Sequence, residues 1–308
     1  MKNSKIAITL GCPAGIGPEV LLKGLNELSD ELSHIVVIGD KKVLSQTSSF
    51  LGIPFPKVEI ISLSELDITP GVPTLEGYKA MVLYIEKAIE LAKNNQVKAI
   101  VTCPISKKGL SEVGVLYKGH TEWLANAFGV KDYVMCFYSE DLIVSLVTTH
   151  IPLSEVPKKL SVERVLKVCK LSAGFLKLLK KEDFKIGLCG VNPHAGEEGL
   201  LGYEEKEILE KVVEICKKEG IPLEGPLPAD SVFYLALKGK YDLVVAMYHD
   251  QGLAPFKLLH FEDGVNITLG LPIIRTSPVH GTAYNIAGKG IANHKSLISA
   301  IRLALSCI

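Results

Sequence analysis

The sequence predicts an α/β protein built on a largely parallel β-sheet. Two observations carry this prediction. Short apolar runs rich in β-branched residues alternate with longer amphipathic segments, and the alternation continues along all 308 residues. Apolar runs between turn signals are typical of buried strands, and strands that alternate with helices favour parallel pairing. No internal repeat or low-complexity tract interrupts the pattern.

The predicted elements follow the chain in order. Eight apolar runs are predicted as strands: Ile6–Leu10, Ile35–Ile38, Val58–Ile61, Ala99–Thr102, Tyr133–Phe137, Leu142–Val147, Lys185–Cys189 and Leu243–Met247. Three of the amphipathic segments between them are predicted as helices: Leu75–Asn94, Val162–Leu179 and Gly202–Glu219. Because no linker divides the chain, two domains would have to exchange chain. A cleft between two such lobes is the usual place for a small-molecule site.

Composition narrows the class of function. The 34 basic and 34 acidic side chains cancel, so net charge gives no reason to expect nucleic acid or an anionic membrane as a partner. No run of about 18 apolar residues exists that would span a membrane. The seven scattered cysteines form no C-x-x-C pair, which argues against a disulfide framework and a structural zinc cage. We therefore expect a cytoplasmic, soluble protein that acts on a small molecule.

Three histidines stand in the same local context. His150, His194 and His249 each come shortly after a predicted strand, and turn or helix-start residues follow each of them. Ligands of open α/β sheets bind at the carboxyl ends of the strands. A single histidine there is more often a packing or hydrogen-bonding residue. Three in matching contexts favour a divalent-metal site with an open position for substrate.

A second set of residues has the chemistry of an anion site. Thr121 is predicted to cap a helix that runs to Phe128, and His120 precedes it, so exposed amides and an imidazolium would face an anion. Arg275 follows an apolar run and needs an anionic partner if it is buried. Lys257 and Asn266 add a cation and a neutral hydrogen-bonding group. A plain helix cap and a solvated arginine are the alternatives.

Two glycine-rich segments lie near the ends of the chain. The first, Gly11–Glu19, joins the first strand to a helix but lacks the G-x-G-x-x-G pattern of an ordinary dinucleotide site. The second, Val279–Asn293, contains small residues that allow a ligand to approach the backbone closely. By itself, neither segment identifies a cofactor site.

Several motifs together resemble a known family. Both glycine-rich segments resemble the two ends of isocitrate and isopropylmalate dehydrogenases. Six motifs, in order along nearly the whole chain, resemble the narrower 4-hydroxythreonine-4-phosphate dehydrogenase family of pyridoxal phosphate biosynthesis: Pro13-Ala-Gly-Ile-Gly-Pro-Glu19, Gly119-His-Thr-Glu122, Asn192-Pro-His-Ala-Gly-Glu197, Pro228-Ala-Asp230, Tyr248-His-Asp-Gln-Gly-Leu253 and Val265-Asn-Ile-Thr-Leu-Gly-Leu-Pro272. One such match would arise easily by chance, whereas six in order would not.

The resemblance implies an isocitrate/isopropylmalate dehydrogenase-like fold with two α/β/α lobes and a cleft between them. Residues 1–130 with 276–308 would form the cofactor-side lobe. Residues 131–275 would form the lobe that binds metal and substrate and mediates dimerisation. A homodimer is implied, with the active site at the subunit interface.

The resemblance also implies roles for individual residues. A divalent metal (Zn, Mg or Co) would be held across the dimer interface by His150, His194 and His249. Substrate contacts would come from His120, Thr121, Lys257, Asn266 and Arg275. NAD or NADP would contact Gly15, Gly17, His280, Gly281, Thr282, Asn285 and Asn293. The family usually has an acidic residue where Asn285 stands, so the sequence leaves the choice between NAD and NADP open.

The implied reaction is oxidation of 4-phosphohydroxy-L-threonine to 2-amino-3-oxo-4-phosphooxybutanoate, which decarboxylates to 3-amino-2-oxopropyl phosphate. A proton acceptor is required, and Lys257 and Asp230 are both candidates. The closest alternative substrate is a phosphorylated sugar acid, threonate or erythronate 4-phosphate. A phosphate acyltransferase of related fold and a non-catalytic metal-binding protein are more remote alternatives.

Overall fold

A computed structural model of the chain describes residues 5–308 and confirms the α/β class. Eleven strands are present in this part of the chain: β1 Ile6–Thr9, β2 Ile35–Gly39, β3 Glu59–Ser62, β4 Ala99–Thr102, β5 Val134–Tyr138, β6 Ile143–Leu146, β7 Ile186–Cys189, β8 Leu223–Leu227, β9 Leu243–Ala246, β10 Val265–Leu269 and β11 Ile274–Pro278. The α-helices described there are α1 Gly17–Glu27, α2 Lys41–Leu51, α3 Leu75–Lys93, α4 Lys107–Glu112, α5 His120–Ala127, α6 Val156–Lys159, α7 Val162–Leu178, α8 Glu210–Lys218, α9 Ala229–Leu237, α10 His249–His260 and α11 Lys295–Ser306.

The residues divide into two compact units. The first extends to Lys131 and also includes Glu262–Ile308. Its strands follow the order β3-β2-β1-β4-β11-β10, and all neighbours are parallel except β10 and β11. Every residue of β1, β2 and β4 is buried, as expected for parallel strands covered by helices on both faces.

The second unit is Asp132–Phe261. Its strands follow the order β5-β6-β9-β7-β8, with an antiparallel pair β5–β6 and parallel pairing from β6 to β8. Strands β6, β9 and β7 are therefore adjacent and parallel, so their carboxyl ends lie along the same edge of the sheet. This edge receives the three predicted histidines.

Three strands were not predicted from the sequence, namely β8, β10 and β11. Strand β8 contains Gly225-Pro226, a turn signal, and β11 carries the polar run Arg275-Thr-Ser277. The pairing of β10 with β11 places residues 262–275 in the first unit, whereas the sequence analysis assigned this segment to the second lobe. Turn residues in β8 and polar residues in β10 and β11 interrupt the apolar runs from which strands are predicted.

Two predicted helix starts differ from the structure. Thr121 does not cap its helix, because α5 begins at His120 and the preceding cap residue is Gly119. The helix predicted from Gly202 begins later, since Gly202 has a φ of 151° that L side chains avoid. A π-helical turn, Glu205–Leu209, precedes α8 instead.

Two further observations concern the cysteines and the length of the helices. All seven cysteines are free and buried, so none is paired in a disulfide. No helix within residues 5–308 is both long enough and apolar enough to cross a membrane.

Candidate active site

Arg275 is a buried cation of the first unit. It lies on β11 with only 4% of its surface exposed. Within residues 5–308 its hydrogen-bond acceptors are three hydroxyls: Nη2 donates to Thr102 at 2.9 Å, and Nη1 donates to Thr268 at 3.3 Å and Thr121 at 3.5 Å. Burial lowers the pKa of the guanidinium to about 10, so it stays charged at neutral pH. The three hydroxyls carry no charge, and the Glu122 carboxylate, which raises the pKa of Arg275, does not offset the effect of burial.

His120 begins α5 in the same unit and contributes a second polar group. Its side chain is buried, and its Nε2 atom has no hydrogen-bond partner within residues 5–308. Burial lowers the pKa of His120 well below its usual value, and the nearby Arg275 charge lowers it further. The prediction from the sequence is an imidazolium at this position. In the structure the lowered pKa favours the neutral imidazole, which offers a hydrogen bond but no charge.

Other predicted residues also carry buried polar atoms without partners in the described chain. They are Oδ1 of Asn266, Nε of Arg275 and Nε2 of His280. Asn266 and Thr268 are two residues apart on β10 and so project from the same face of the strand. Buried polar groups are almost always hydrogen-bonded in proteins, so atoms left unpaired are suited to receive a ligand.

The three predicted metal ligands all belong to the second unit. His150 follows β6, His249 follows β9 and His194 follows β7, so each comes after one of three adjacent parallel strands. The ring centroids of His150 and His249 are 5.5 Å apart. No set of three His, Cys, Asp or Glu side chains among residues 5–308 is grouped closely enough to hold a metal ion. A single chain thus brings two of the imidazoles together and does not assemble a full ligand set.

His249 has the hydrogen bonding of a metal-binding histidine. Its Nδ1 atom lies 2.6 Å from Oδ1 of Asp250, which leaves Nε2 as the nitrogen available to a metal. A carboxylate bonded to the other ring nitrogen orients metal-ligating histidines and raises their basicity. His150 and His194 are exposed, and His249 is half-buried. The donor set and its accessibility therefore suit a divalent ion.

His194 lies in an unusual backbone segment. Five consecutive residues, His194 to Glu198, have positive φ angles between 43° and 80°, and only Gly196 among them is a glycine. Left-handed backbone costs other L-residues about 1–2 kcal/mol each. Such conformations persist only where the surroundings impose them, and they concentrate at functional sites.

Glu205 is a buried residue of this region that the sequence analysis did not identify. Its Oε1 atom accepts hydrogen bonds from the backbone amides of Val191 (2.8 Å) and Asn192 (2.9 Å), and Oε2 accepts one from Asn192 Nδ2 (3.0 Å). Burial alone would raise the pKa of Glu205, but the hydrogen bonds from Asn192 and Val191 outweigh it and lower the pKa. The carboxylate is therefore ionised at neutral pH.

Gln251 was also missed, although it stands next to Asp250 in a motif of the sequence. Its Oε1 atom accepts from the amide of Met247 at 2.6 Å, and its Nε2 atom donates to the carbonyl of Gly190 at 2.7 Å. This side chain joins the carboxyl end of β9 to that of β7. It thereby links the segments that carry His249 and His194.

The two candidate bases, Lys257 and Asp230, are helix residues of the second unit. Lys257 lies on α10, eight residues after His249, and its Nζ atom is 5.9 Å from the ring centroid of Phe261. Asp230 lies in the first turn of α9 and is exposed. Neither position indicates which of the two residues is the base.

The residues predicted to bind a nicotinamide cofactor separate into two groups in the first unit. Gly15 and Gly17 are buried, and a Cβ atom on them would lie 2.9 Å from the Thr282 carbonyl oxygen and 2.3 Å from the Leu10 carbonyl oxygen. Close backbone packing explains both glycines. By contrast, Gly281, Asn285 and Asn293 are exposed. A cavity of about 290 Å³ lies beside this region and is lined in part by Gly15, Glu19 and Gly288.

Known proteins are similar to this chain in both sequence and structure. A family model described as pyridoxal phosphate biosynthetic protein PdxA matches residues 31–304. A 4-hydroxythreonine-4-phosphate dehydrogenase of Aquifex aeolicus is 44% identical, with 98% of this chain and 97% of the relative covered. A D-threonate 4-phosphate dehydrogenase of Pectobacterium atrosepticum is 41% identical, with 97% of this chain and 98% of the relative covered.

Solved structures agree with the sequence comparisons. The crystal structure of 4-hydroxythreonine-4-phosphate dehydrogenase from Klebsiella pneumoniae has a TM-score of 0.89 at 38% identity and covers 99% of this chain and 98% of that protein. An isocitrate dehydrogenase from Methylococcus capsulatus has a TM-score of 0.51 at 15% identity, covering 99% of this chain and 87% of that protein. The second likeness concerns the fold alone, and it confirms the predicted fold class.

Proposed function

Because this chain belongs to the PdxA family of pyridoxal phosphate biosynthetic proteins, we propose that it is an NAD(P)-dependent dehydrogenase of 4-phosphohydroxy-L-threonine. The product, 2-amino-3-oxo-4-phosphooxybutanoate, is a β-keto acid that loses CO2 to give 3-amino-2-oxopropyl phosphate. The observation that carries the proposal is the buried guanidinium of Arg275, which is surrounded by hydroxyls and has a free Nε atom. A phosphorylated substrate would bring further negative charge to this guanidinium, beyond that of the Glu122 carboxylate.

The phosphate-binding role is proposed for Arg275, His120, Thr121 and Asn266. Arg275 provides the charge, and the neutral His120 provides a hydrogen bond from Nε2 when that nitrogen carries the proton. The backbone amides at the start of α5 favour an anion at the same place. Fixing the phosphate in this way positions the reacting carbon of the substrate.

The proposed metal ligands are His150, His194 and His249, with Asp250 orienting His249 through its Nδ1 atom. A bound divalent ion would polarise the substrate hydroxyl and lower its pKa. The native metal is one of Zn, Mg and Co by family resemblance. We propose that the site is shared in a homodimer, with the ligands divided between the two subunits.

The proposed cofactor is NAD or NADP, which would accept the hydride from the substrate carbon. The exposed residues Gly281, Asn285 and Asn293, together with His280 and Thr282, would contact it, whereas Gly15 and Gly17 shape the neighbouring backbone. Lys257 and Asp230 remain the two candidates for the group that takes the hydroxyl proton. Lys257 is also proposed to contact the substrate.

A second candidate substrate is D-threonate 4-phosphate. The observation that favours it is the 41% identity to a relative named for that substrate, close to the 44% identity to a relative named for hydroxythreonine phosphate. Both substrates carry the same phosphate and secondary alcohol, so the anion site described above serves either. They differ at the neighbouring carbon, where one has an ammonium group and the other a hydroxyl.

One assay tests the proposal. Purified protein would be incubated with NAD or NADP and with each phosphorylated substrate in turn, with and without a chelator, while NADH or NADPH formation is followed. We expect metal-dependent turnover of at least one substrate and very poor turnover of unphosphorylated 4-hydroxythreonine. Equal turnover of the phosphorylated and unphosphorylated forms would contradict the anion site.

A further inference from the structure

The left-handed turn at His194 is anchored to a buried carboxylate on the following helix. Two amides at the entrance of the turn, those of Val191 and Asn192, both donate to Oε1 of Glu205. The turn itself also packs on this side chain, because a Cβ atom on Gly196 would lie 2.6 Å from Oε2 of Glu205. Gly190 is nearly as close, since its Cβ would lie 3.1 Å from Oε1. One carboxylate therefore contacts the chain before and after His194.

The position of Glu205 depends on a second irregular feature. Glu205 opens the π-helical turn that precedes α8, and its side chain is almost completely buried. Single π-helical turns inside helices occur frequently at functional sites, because the extra residue per turn changes where side chains point. The carboxylate of Glu205 thus lies between the left-handed turn and the π-helical turn. The left-handed turn carries His194, a predicted metal ligand.

We propose that Glu205 is a positioning residue that holds His194 in its left-handed turn, in the orientation from which the imidazole binds the divalent ion. This inference rests on the proposed metal-binding role of His194. In it, Glu205 does not touch the metal. It acts by fixing the backbone on both sides of the ligand, as outer hydrogen-bond partners do in other metal sites.

The chain offers a matched control for Glu205. The adjacent Glu204 accepts a hydrogen bond from Asn192 Nδ2 at 2.8 Å but accepts none from the backbone of the turn among the contacts of the described residues. Glu204→Gln and Glu205→Gln therefore remove the same charge from neighbouring positions. The first changes one side-chain contact. The second turns the charge-assisted hydrogen bonds from the Val191 and Asn192 amides into weaker neutral ones and places an NH2 donor against Asn192 Nδ2.

The metal affinity of both variants would be measured by competition with a chelator, using Co²⁺ and Zn²⁺ as probes. We expect Glu205→Gln to weaken metal binding by roughly 10- to 100-fold, the usual effect of changing the hydrogen-bond partners that orient a metal ligand. The metal affinity of Glu204→Gln should stay within about twofold of that of the unmutated protein, because the backbone of the turn keeps its acceptor. Equal affinity in Glu205→Gln and the unmutated protein would overturn the proposal.

Hydrogen exchange of residues 191–199 gives a readout that is independent of metal. Exchange there should accelerate in metal-free Glu205→Gln and not in Glu204→Gln, while exchange elsewhere in the second unit is unchanged. Unchanged exchange at residues 191–199 would overturn the proposal even if metal affinity fell. If Glu205→Gln fails to fold, Glu205→Asp keeps the charge and shortens the side chain, and the same two measurements apply to it.

A rescue experiment tests the strain directly. Ala195 has a φ of 53°, which glycine adopts without steric cost. Adding Ala195→Gly to Glu205→Gln lowers the backbone strain of the turn, which no longer has its glutamate anchor. We therefore expect part of the metal affinity to return. No recovery in the double variant, with the exchange at residues 191–199 still fast, would contradict a role for Glu205 in holding this strain.

The metal ligand itself is tested separately. His194→Ala should lose metal if the proposed function is right, and undiminished metal in that variant would contradict the ligand assignment. If the unmutated protein binds no divalent ion, the proposed metal site is wrong, and the proposal that Glu205 serves metal binding is wrong with it. The exchange measurement then still shows whether Glu205 holds the turn, so the two failures are distinguishable.

Discussion

Glu19 and Lys23 together bind both backbone groups of the same two residues, Gly290 and Ala292. The carboxylate of Glu19 accepts from the amides of Ala292 (2.8 Å) and Gly290 (3.3 Å). The ammonium of Lys23 donates to the carbonyls of Gly290 (2.8 Å) and Ala292 (3.0 Å) and to Glu19 itself (2.7 Å). This ion pair on α1 thus satisfies backbone amides and carbonyls of the glycine-rich segment, as a neighbouring strand would.

Replacement of Lys23 should therefore weaken cofactor binding. In Lys23→Met, the carbonyls of Gly290 and Ala292 lose their donor and the segment that ends at Asn293 loosens. We expect the Kd for NAD or NADP to rise by about tenfold, the effect of losing one or two charge-assisted hydrogen bonds. Fluorescence titration would measure it. Lys23→Arg keeps the charge and should recover most of the affinity, and an unchanged Kd in Lys23→Met would refute this expectation.

Arg275 should matter most for the phosphorylated substrate. Arg275→Gln keeps a polar side chain but removes the charge. The KM for the phosphorylated substrate should therefore rise by roughly 10- to 100-fold. The kcat should fall as well if the phosphate positions the reacting carbon. Steady-state kinetics would measure both parameters. The control is Thr268→Val, which removes one hydroxyl beside the guanidinium and should change KM far less. Similar effects of the two substitutions would argue against a phosphate contact by Arg275.

The buried His120 predicts how stability depends on pH. Its pKa in the folded protein is lowered by burial and by Arg275, whereas in the unfolded chain it is about 6.5. Between these two pKa values the unfolded chain binds one more proton than the folded protein. The free energy of unfolding therefore falls as the pH drops below about 6.5, by at most about 1.4 kcal/mol per pH unit. Above about 6.5 both states are neutral at this residue, and it adds no pH dependence.

Urea unfolding of the unmutated protein and of His120→Gln between pH 8 and pH 5 checks this prediction. The difference in stability between the two proteins should be constant above about pH 6.5 and should shift against the unmutated protein below it. Other titrating groups, His280 among them, are present in both proteins and largely cancel. Parallel stability curves over the whole range would mean that His120 titrates normally in the folded state.

Subunit sharing of the metal site can be tested with two inactive variants. The His150 and His249 rings are close within one chain, so the informative pair is His194→Ala and His249→Ala. If these two ligands come from different subunits, each mixed dimer has one intact site and one with both defects. Half of the dimers are mixed after random exchange, so roughly a quarter of normal activity should return. No recovery, with exchange confirmed independently, would place both ligands in one subunit.

The strands that carry the site were predictable because they are locally apolar. Runs such as Leu243–Ala246 and Ile143–Leu146 are buried on both faces, so their composition alone marks them as strands. A histidine after each of them could then be assigned to the carboxyl edge of the sheet. Strands β10 and β11 gave no such signal, because polar residues such as Asn266, Thr268 and Arg275 interrupt their apolar pattern.

The sequence by itself determined the fold class, the family and the identity of most candidate site residues, since these depend on local composition and on the order of motifs along the chain. Only the tertiary structure decided their chemical state. Burial beside Arg275 lowers the pKa of His120, close packing on Thr282 explains Gly15, and Glu205 reaches back to the turn of His194. Each of these facts depends on burial or on contacts between residues distant in sequence, which a pattern along the chain does not contain.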